Sequence, residues 1–364
     1  MKVLHVLPSL HDNGIAKMLY EYCVLIKKNT DIEFEFLVDK NKEGILEDDF
    51  SKIGNVYKAD LLSGRKKLCE ELKCFFEKHK YDIVHANLQM KSLFVSYYAY
   101  KNNVPKRIFH THTAYIKENL ITRIKRFVLT KLICRYSTDL AACSKDAAKW
   151  MFGKHMMNKV KIINNAFSLD MYRYSESIRK NMREKYGILD NTMVWGYVAR
   201  LTKQKGGLEL IDVFKQYKEK NKNIKLVFVG SGAIYEQLVS KTKECNLQND
   251  IIFAGAQKNV SDYLSMFDMF ILPSECEGLG ISYIEAQVNG LPTYAPNQGI
   301  PKEVRINENF VFYDKKDNNM LLSIIEKNKR IYDYKSIKEN MNRAGYNIEV
   351  QWIDLATWYK EILD

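Results

Sequence analysis

Short runs of Val, Ile and Phe recur along the whole chain, each followed by a longer amphipathic stretch. That alternation admits few folds beyond repeated strand–helix units closing a parallel sheet. Two series are present. In the first, Lys2 to Leu7, Glu33 to Val38, Ile83 to His85, Arg107 to His110 and Leu140 to Ala142 are expected as strands, with Val160 to Ile163 a further one. Helices are expected near Ala16 to Lys27, Lys66 to Lys78, Lys91 to Lys101 and Ile116 to Arg135. In the second, the strands are Val194 to Val198, Lys225 to Val229, Ile251 to Phe253, Met269 to Leu272 and Thr293 to Ala295. Helices fall near Leu208 to Tyr217, Ala233 to Glu244, Val260 to Met266 and Ile281 to Asn289. At 364 residues the chain exceeds the size at which one hydrophobic core stops growing, so each series is expected to form its own Rossmann-like α/β domain. The polar segment 164–190 carries no clear strand and is expected as the linker. Asn347 to Leu363 places Trp352, Ile353, Leu355, Trp358, Tyr359 and Ile362 at helical spacing, which predicts a packed terminal helix.

Parallel sheets bind ligands outside the carboxyl ends of their strands, so the loops that follow strands are where chemistry is expected. After Met269 to Leu272 comes Pro273-Ser274-Glu275-Cys276-Glu277-Gly278-Leu279-Gly280-Ile281, then a helix carrying Glu285. The amides of Gly278, Leu279 and Gly280 at a helix start suit anionic or hydroxyl oxygens. Glu277 and Glu285, eight positions apart, share one side if the helix is continuous, although two acids near a helix start also merely favour its dipole. After Val194 to Val198 comes Ala199-Arg200-Leu201-Thr202-Lys203-Gln204-Lys205-Gly206-Gly207. Arg200 and Lys205 beside a glycine pair form a seat for a diphosphate, the bland reading being a solvated basic loop. After the first strand, Gly14 opens a helix and brings an amide within reach of a phosphate, or simply serves a turn.

Together these segments resemble the retaining glycosyltransferases of the GT-B fold, in the large family four that includes many enzymes of capsule and exopolysaccharide assembly. Glu277 to Glu285 matches that family's acid-x7-acid signature, Arg200 with Lys205 its diphosphate pair, and Gly14 the end of its N-terminal Gly-Gly loop. Asp82-Ile83-Val84-His85, Ile108-Phe109-His110-Thr111-His112, Ala141-Ala142-Cys143-Ser144 and Gly230-Ser231-Gly232 extend the resemblance to about residue 300. Asn13 departs from it in the place of the first loop glycine, as does Asn164-Asn165-Ala166-Phe167 in place of Pro-Asn-Gly.

The resemblance implies two facing Rossmann-like domains: an acceptor-side domain 1–170 and a nucleotide-sugar domain 171–344, with the helix at about 345–364 crossing back onto the first. It implies a hexose or N-acetylhexosamine moved from a nucleotide diphosphate sugar, UDP being the commonest nucleotide among similar proteins, to a glycan or lipid-linked acceptor. Glu285 would hold the ribose hydroxyls. Glu277 and the amides of Gly278 to Gly280 would hold the sugar, with His112 near its reacting carbon. His112 is equally readable as a structural histidine; His110, two residues earlier, is expected on the opposite strand face. No Asp-x-Asp motif is present to hold a divalent ion, so Arg200 and Lys205 are expected to take the metal's place without any cofactor.

The net charge of +12 is concentrated in the first domain. Residues 1–170 hold 29 Lys plus Arg against 19 Asp plus Glu, and 101–161 alone hold 14 against 3. Such a face attracts phosphate-rich partners. Residues 115–135 combine that charge with Ile116, Leu120, Ile121, Ile124, Phe127, Val128, Leu132 and Ile133, a pattern fitting either peripheral contact with an anionic membrane or an ordinary core-facing helix with a basic outer face. Nucleic-acid binding is disfavoured because no helix-turn-helix, zinc or RNP signature accompanies the charge. A dehydrogenase is disfavoured because Gly230-Ser231-Gly232 lacks a third glycine and a first-strand position; a nucleotide-sugar epimerase of the same fold is the nearer rival. The apolar run Val3 to Leu7 is too short for an export signal, and nowhere do ~18 uninterrupted apolar residues occur, so a cytoplasmic enzyme is expected. Seven cysteines without a CxxC pair are expected reduced and mostly buried.

Overall fold

The computed structural model of the chain describes residues 1–11, 14–42, 44–112, 120–326 and 329–364, with the backbone alone for 120–123 and 318. Asn13 and residues 115–119 of the basic stretch lie outside the described residues. The chain divides into two compact units, Met1–Phe167 with Gly345–Asp364, and Ser168–Ala344.

The first unit runs β1 (Lys2–Leu7), α1 (Gly14–Asn29), β2 (Glu33–Asp39), α2 (Glu47–Ile53), β3 (Val56–Ala59), α3 (Arg65–Lys78), β4 (Ile83–Ala86), α4 (Ser92–Lys101), β5 (Lys106–Thr111), α5 (Leu120–Tyr136), β6 (Asp139–Ala142), α6 (Lys145–Phe152) and β7 (Val160–Ile162). The second runs α7 (Glu176–Lys185), β8 (Met193–Val198), α8 (Gly207–Lys220), β9 (Ile224–Val229), α9 (Tyr235–Glu244), β10 (Ile251–Gly255), α10 (Val260–Met266), β11 (Met269–Ile271), α11 (Ile281–Val288), β12 (Thr293–Pro296), β13 (Phe310–Tyr313), α12 (Asn318–Ile325) and α13 (Tyr334–Ala344). The final α14 (Ile348–Glu361) belongs to the first unit.

Every strand pairing is parallel. The sheet orders are β3-β2-β1-β4-β5-β6-β7 and β10-β9-β8-β11-β12-β13. Both are Rossmann-like, and both reverse direction of winding at their centre, between β1 and β4 and between β8 and β11. That reversal leaves a crevice at the carboxyl ends of the two central strands. The central strands are buried almost throughout, as the apolar runs require when helices cover both faces.

Helix α14 packs on α1, and Ile348, Leu355, Ala356 and Tyr359 enter the same core as Val3, Leu7, Met18 and Tyr22. Ile353, expected on that apolar face, is half exposed. Two edge strands, β3 and β13, went unforeseen because each is four residues long and β3 is only partly buried. The segment expected to be a linker contains α7, which packs on α10. Its arginines hide its role in the sequence. Arg179 and Arg183 clamp Asp268 at 2.5 and 2.6 Å, while Arg183 also donates to the carbonyls of Leu189, Asp190 and Thr192 and is itself buried. A guanidinium that satisfies its five donors on carbonyls and a carboxylate can be buried where a lysine would not be. Only Cys23 and Cys143 are buried; Cys74 and Cys134 are exposed, so the expectation of mostly buried thiols does not hold.

Candidate functional site

In the second unit the site is built from the two loops at the sheet's reversal point. The loop after β8 carries Arg200 and Lys205, and the loop after β11 carries Glu277 and the Gly278–Gly280 turn. The loops are laced together. Glu275 N–H donates to Gln204 O at 2.8 Å, Gln204 Nε2 donates to Cys276 O at 2.7 Å, and Ser274 Oγ donates to Gln204 O at 3.2 Å. Gly206 makes the close approach available. Its φ is +70°, and a Cβ there would sit 2.2 Å from the Pro273 carbonyl oxygen. From the other side Gly230 lets the loop after β9 press on Ala199, where a Cβ would lie 2.0 Å from its oxygen. Leu201 N–H then donates to Ser231 O at 2.9 Å.

Lys205 Nζ donates to both carboxylate oxygens of Glu277, at 2.5 and 2.6 Å, and the two side chains are 16% and 9% exposed. Arg200 is exposed and makes no ion pair among the described residues. The ion-paired ammonium and the exposed guanidinium thus lie on one loop at the reversal point of the sheet. The amides of Gly278, Leu279 and Gly280 donate no hydrogen bond among the described residues, and they lead directly into α11. Free amides at a helix start next to two cations make a surface for phosphate and hydroxyl oxygens. Glu277 lies before α11, not on it, because Gly280 caps the helix with φ +81°. The helix starts at Ile281, where the sequence placed it, so the two acids do not share one continuous helix, and Glu285 stands half-buried in the second turn of α11. Tyr283 anchors the turn from below, donating to Leu272 O at 2.5 Å. Among the described residues no group of three His, Cys, Asp or Glu is placed to hold a metal ion.

In the first unit Gly14 is the exposed first residue of α1, following β1. His112 follows β5, half-buried, and belongs to a chain of side chains that crosses the sheet. Tyr359 of α14 meets His85 Nδ1 at 2.7 Å and His5 Nε2 at 3.3 Å, His85 Nε2 meets His110 Nδ1 at 3.0 Å, and His112 Nε2 meets Asn87 Oδ1 at 2.9 Å. The register that pairs His5 with His85 sets this row. The rings of His110 and His112 are 3.9 Å apart, so His110 is not on the opposite face as expected; a strand's two-residue period puts positions 110 and 112 on the same side. Burial pushes His5 and His112 down to about 3 and His85 and His110 well below the ordinary imidazole value. The sequence reading missed Asn87 and the lacing role of Gln204, while Gly206 was part of the glycine pair it named. The signal for the first two was position, one lying just past a central strand and the other inside a basic loop.

The family model for Glycosyl transferases group 1 matches residues 178–347, the part that holds the laced loops. The chain is 26% identical over 302 residues to the putative glycosyltransferase EpsF of Bacillus subtilis, covering 80% of this chain and 78% of that one. It is 26% identical over 337 residues to the capsular polysaccharide biosynthesis glycosyltransferase CapH of Staphylococcus aureus, covering 90% and 88%. In fold it is similar to Anabaena Alr3699/HepE in complex with UDP-glucose, with a TM-score of 0.78 at 18% identity over 99% of this chain and 100% of that chain. The chain is a glycosyltransferase of the GT-B fold. Both units of this glycosyltransferase carry the doubly wound sheet of that fold, and none of its described helices is long and apolar enough to cross a membrane.

Proposed function

We propose that this glycosyltransferase moves a hexose or N-acetylhexosamine from a nucleoside diphosphate sugar, UDP foremost, to a glycan acceptor in surface-polysaccharide synthesis, with retention at the anomeric carbon and without a metal ion. The observation that carries the reading is the pairing of Arg200 and Lys205 with the uncommitted Gly278–Gly280 amides across the crevice between β8 and β11. Breaking a sugar–diphosphate bond places negative charge on the leaving group, and preorganised cations and amides stabilise that charge as it develops. Lys205, held by Glu277, is already in place; Arg200 is free to close on the second phosphate. Glu277 and the glycine amides take sugar hydroxyls, Glu285 the ribose, Gly14 a phosphate oxygen, and His112 the sugar. Retention follows if the leaving phosphate itself takes the proton of the incoming hydroxyl.

Thermal protection by a panel of nucleotide sugars tests this reading. At a hundredfold excess over the dissociation constant one nucleotide sugar is expected to stabilise the protein by about 2.7 kcal/mol. Protection by nicotinamide cofactors alone would overturn it, and interconversion of sugars without acceptor would move the assignment to an epimerase. Retention is read from the anomeric coupling of the product, and metal independence from undiminished transfer in excess chelator.

A lipid-linked acceptor at a membrane surface fits the outer face of α5. Ile124, Phe127, Val128 and Leu132 are 56%, 60%, 52% and 37% exposed, interleaved with Lys125, Arg126, Lys131 and Arg135. Beside them Phe127, Met151 and Met156 line a groove of about 800 Å³. Apolar side chains ringed by cations are what an anionic bilayer retains. Flotation with liposomes is expected to rise with their anionic lipid content and to fall on Phe127→Glu; recovery indifferent to lipid charge would refute membrane contact.

A further inference from the structure

The hydrogen bonds around His112 fix the position of its proton. Asn87, buried just past β4, spans two partners with its side-chain amide. Nδ2 donates to the carbonyl of His85 at 3.2 Å, and Oδ1 faces His112 Nε2 at 2.9 Å. A carbonyl only accepts, so the amide cannot be turned round without setting oxygen against oxygen. His112 Nε2 therefore carries the hydrogen. A neutral imidazole has one N–H, which leaves Nδ1 as a bare lone pair. That nitrogen is out of contact with solvent and has no hydrogen-bond partner among the described residues.

The ring is held as firmly as its proton. His110 packs against it at 3.9 Å, and His110 is in turn bonded to His85 and, through His85, to the Tyr359 hydroxyl of α14. Among the described residues the titratable groups around His112 are His110 on its own strand, His85 on β4, His5 on β1 and Tyr359 on α14, and all are buried. None of these described groups brings a fixed charge that would draw a second proton onto the ring. Burial keeps His112 neutral down to about 3.

We propose that Asn87 is a positioning residue that holds His112 in the Nε2–H tautomer, so that Nδ1 acts as a permanent hydrogen-bond acceptor for a hydroxyl group of the sugar substrate. The proposal rests on the reading of His112 as facing the sugar. An acceptor that never donates selects hydroxyl or amide N–H donors and turns away ether and carbonyl oxygens. It also removes His112 from acid–base chemistry, leaving proton transfer to the leaving phosphate. The three buried residues behind it, His110, His85 and Tyr359, serve as its backing.

Two measurements on the full chain test this. Long-range proton–nitrogen spectra of 15N-labelled protein, with His112 assigned by comparison with His112→Asn, are expected to show a protonated Nε2 and a bare Nδ1; a protonated Nδ1 overturns the tautomer. The second compares the affinities of UDP-glucose and UDP across about pH 6 to 8.5, where a free imidazole titrates. In the parent protein the advantage conferred by the glucose is expected to be constant. In Asn87→Asp a carboxylate faces Nε2–H and raises the His112 pKa, so Nδ1 gains a proton as the pH falls. The glucose advantage should then shrink about threefold to tenfold at the acid end and return at the alkaline end. A pH-independent loss affecting UDP and UDP-glucose alike would mean that Asn87 is only structural. A glucose advantage unchanged in His112→Ala would remove the sugar-facing reading beneath the proposal, whereas the spectrum reports on the tautomer by itself.

Discussion

Replacing Lys205 with alanine is expected to lower kcat/KM for sugar transfer by about 10²- to 10³-fold, the usual loss on removing one preorganised donor from a developing negative charge. A second effect accompanies it. Glu277 is 9% exposed and has Lys205 bonded to both of its oxygens, so the alanine leaves a buried carboxylate without its counter-ion. Breaking a buried pair from one side costs about 3 to 5 kcal/mol; the residual exposure of both partners favours the lower figure, a fall in Tm of roughly 6 to 12 °C. The two effects separate in the double variant Lys205→Met with Glu277→Gln, which removes both charges. Its Tm is expected to recover while its rate does not. Arg200→Ala, altering an exposed side chain with no ion pair among the described residues, should lose rate without losing Tm. Rate recovery in the double variant would show that Lys205 serves only to neutralise Glu277, and the diphosphate reading of the crevice would fall with it.

The central strands were legible because burial on both faces favours near-continuous apolar runs, here bounded by turn residues and followed by amphipathic stretches. Helices whose burial runs through polar chemistry were not. Helix α7 is mostly charged, yet Arg183 is buried because carbonyls and Asp268 occupy its donors, and no composition rule reveals that the partner is 85 positions away. The edge strands β3 and β13 are short and only partly covered, so their pattern is weak.

Within the candidate site, the cations and the glycine turn could be found from their place after strands. Their geometry could not. That Lys205 is held by Glu277 while Arg200 stands free depends on how tightly Gly206 lets two loops approach, a matter of one missing Cβ. That Glu277 precedes α11 was legible from the glycines after it; that Gly280 caps the helix with a left-handed backbone was not. Asn87 was invisible for a related reason. An asparagine just after a strand reads as a turn residue, and only its contact with His112 gives it another meaning.

Between about pH 7 and pH 5.5 the unfolding free energy of the first unit is expected to fall by about 5 kcal/mol, a large share of the stability of an ordinary domain. His5, His85 and His110 are fully buried and bonded to one another or to Tyr359, His112 packs on His110, and burial depresses all four, His5 and His112 to about 3. A histidine whose folded pKa lies below its unfolded value contributes stability that is complete above the unfolded value, near 6.5, and is lost as the pH falls toward the folded one. Over this window each unfolded imidazole takes up its proton while the folded one does not, at about 1.3 kcal/mol apiece. Glu21, raised by desolvation, binds its proton earlier in the folded chain and offsets part of that loss. Tryptophan fluorescence is a suitable reporter, because Trp150, Trp352 and Trp358 lie in the first unit and only Trp195 in the second. The substitution His5→Phe replaces a ring already packed against Phe34 and Phe36, so it removes one titrating group with little change of volume. Urea titrations of this variant should show the pH slope reduced by about one quarter. An unchanged slope in His5→Phe, or a parent protein equally stable at both pH values, would mean that the row of histidines carries protons or water inside the fold.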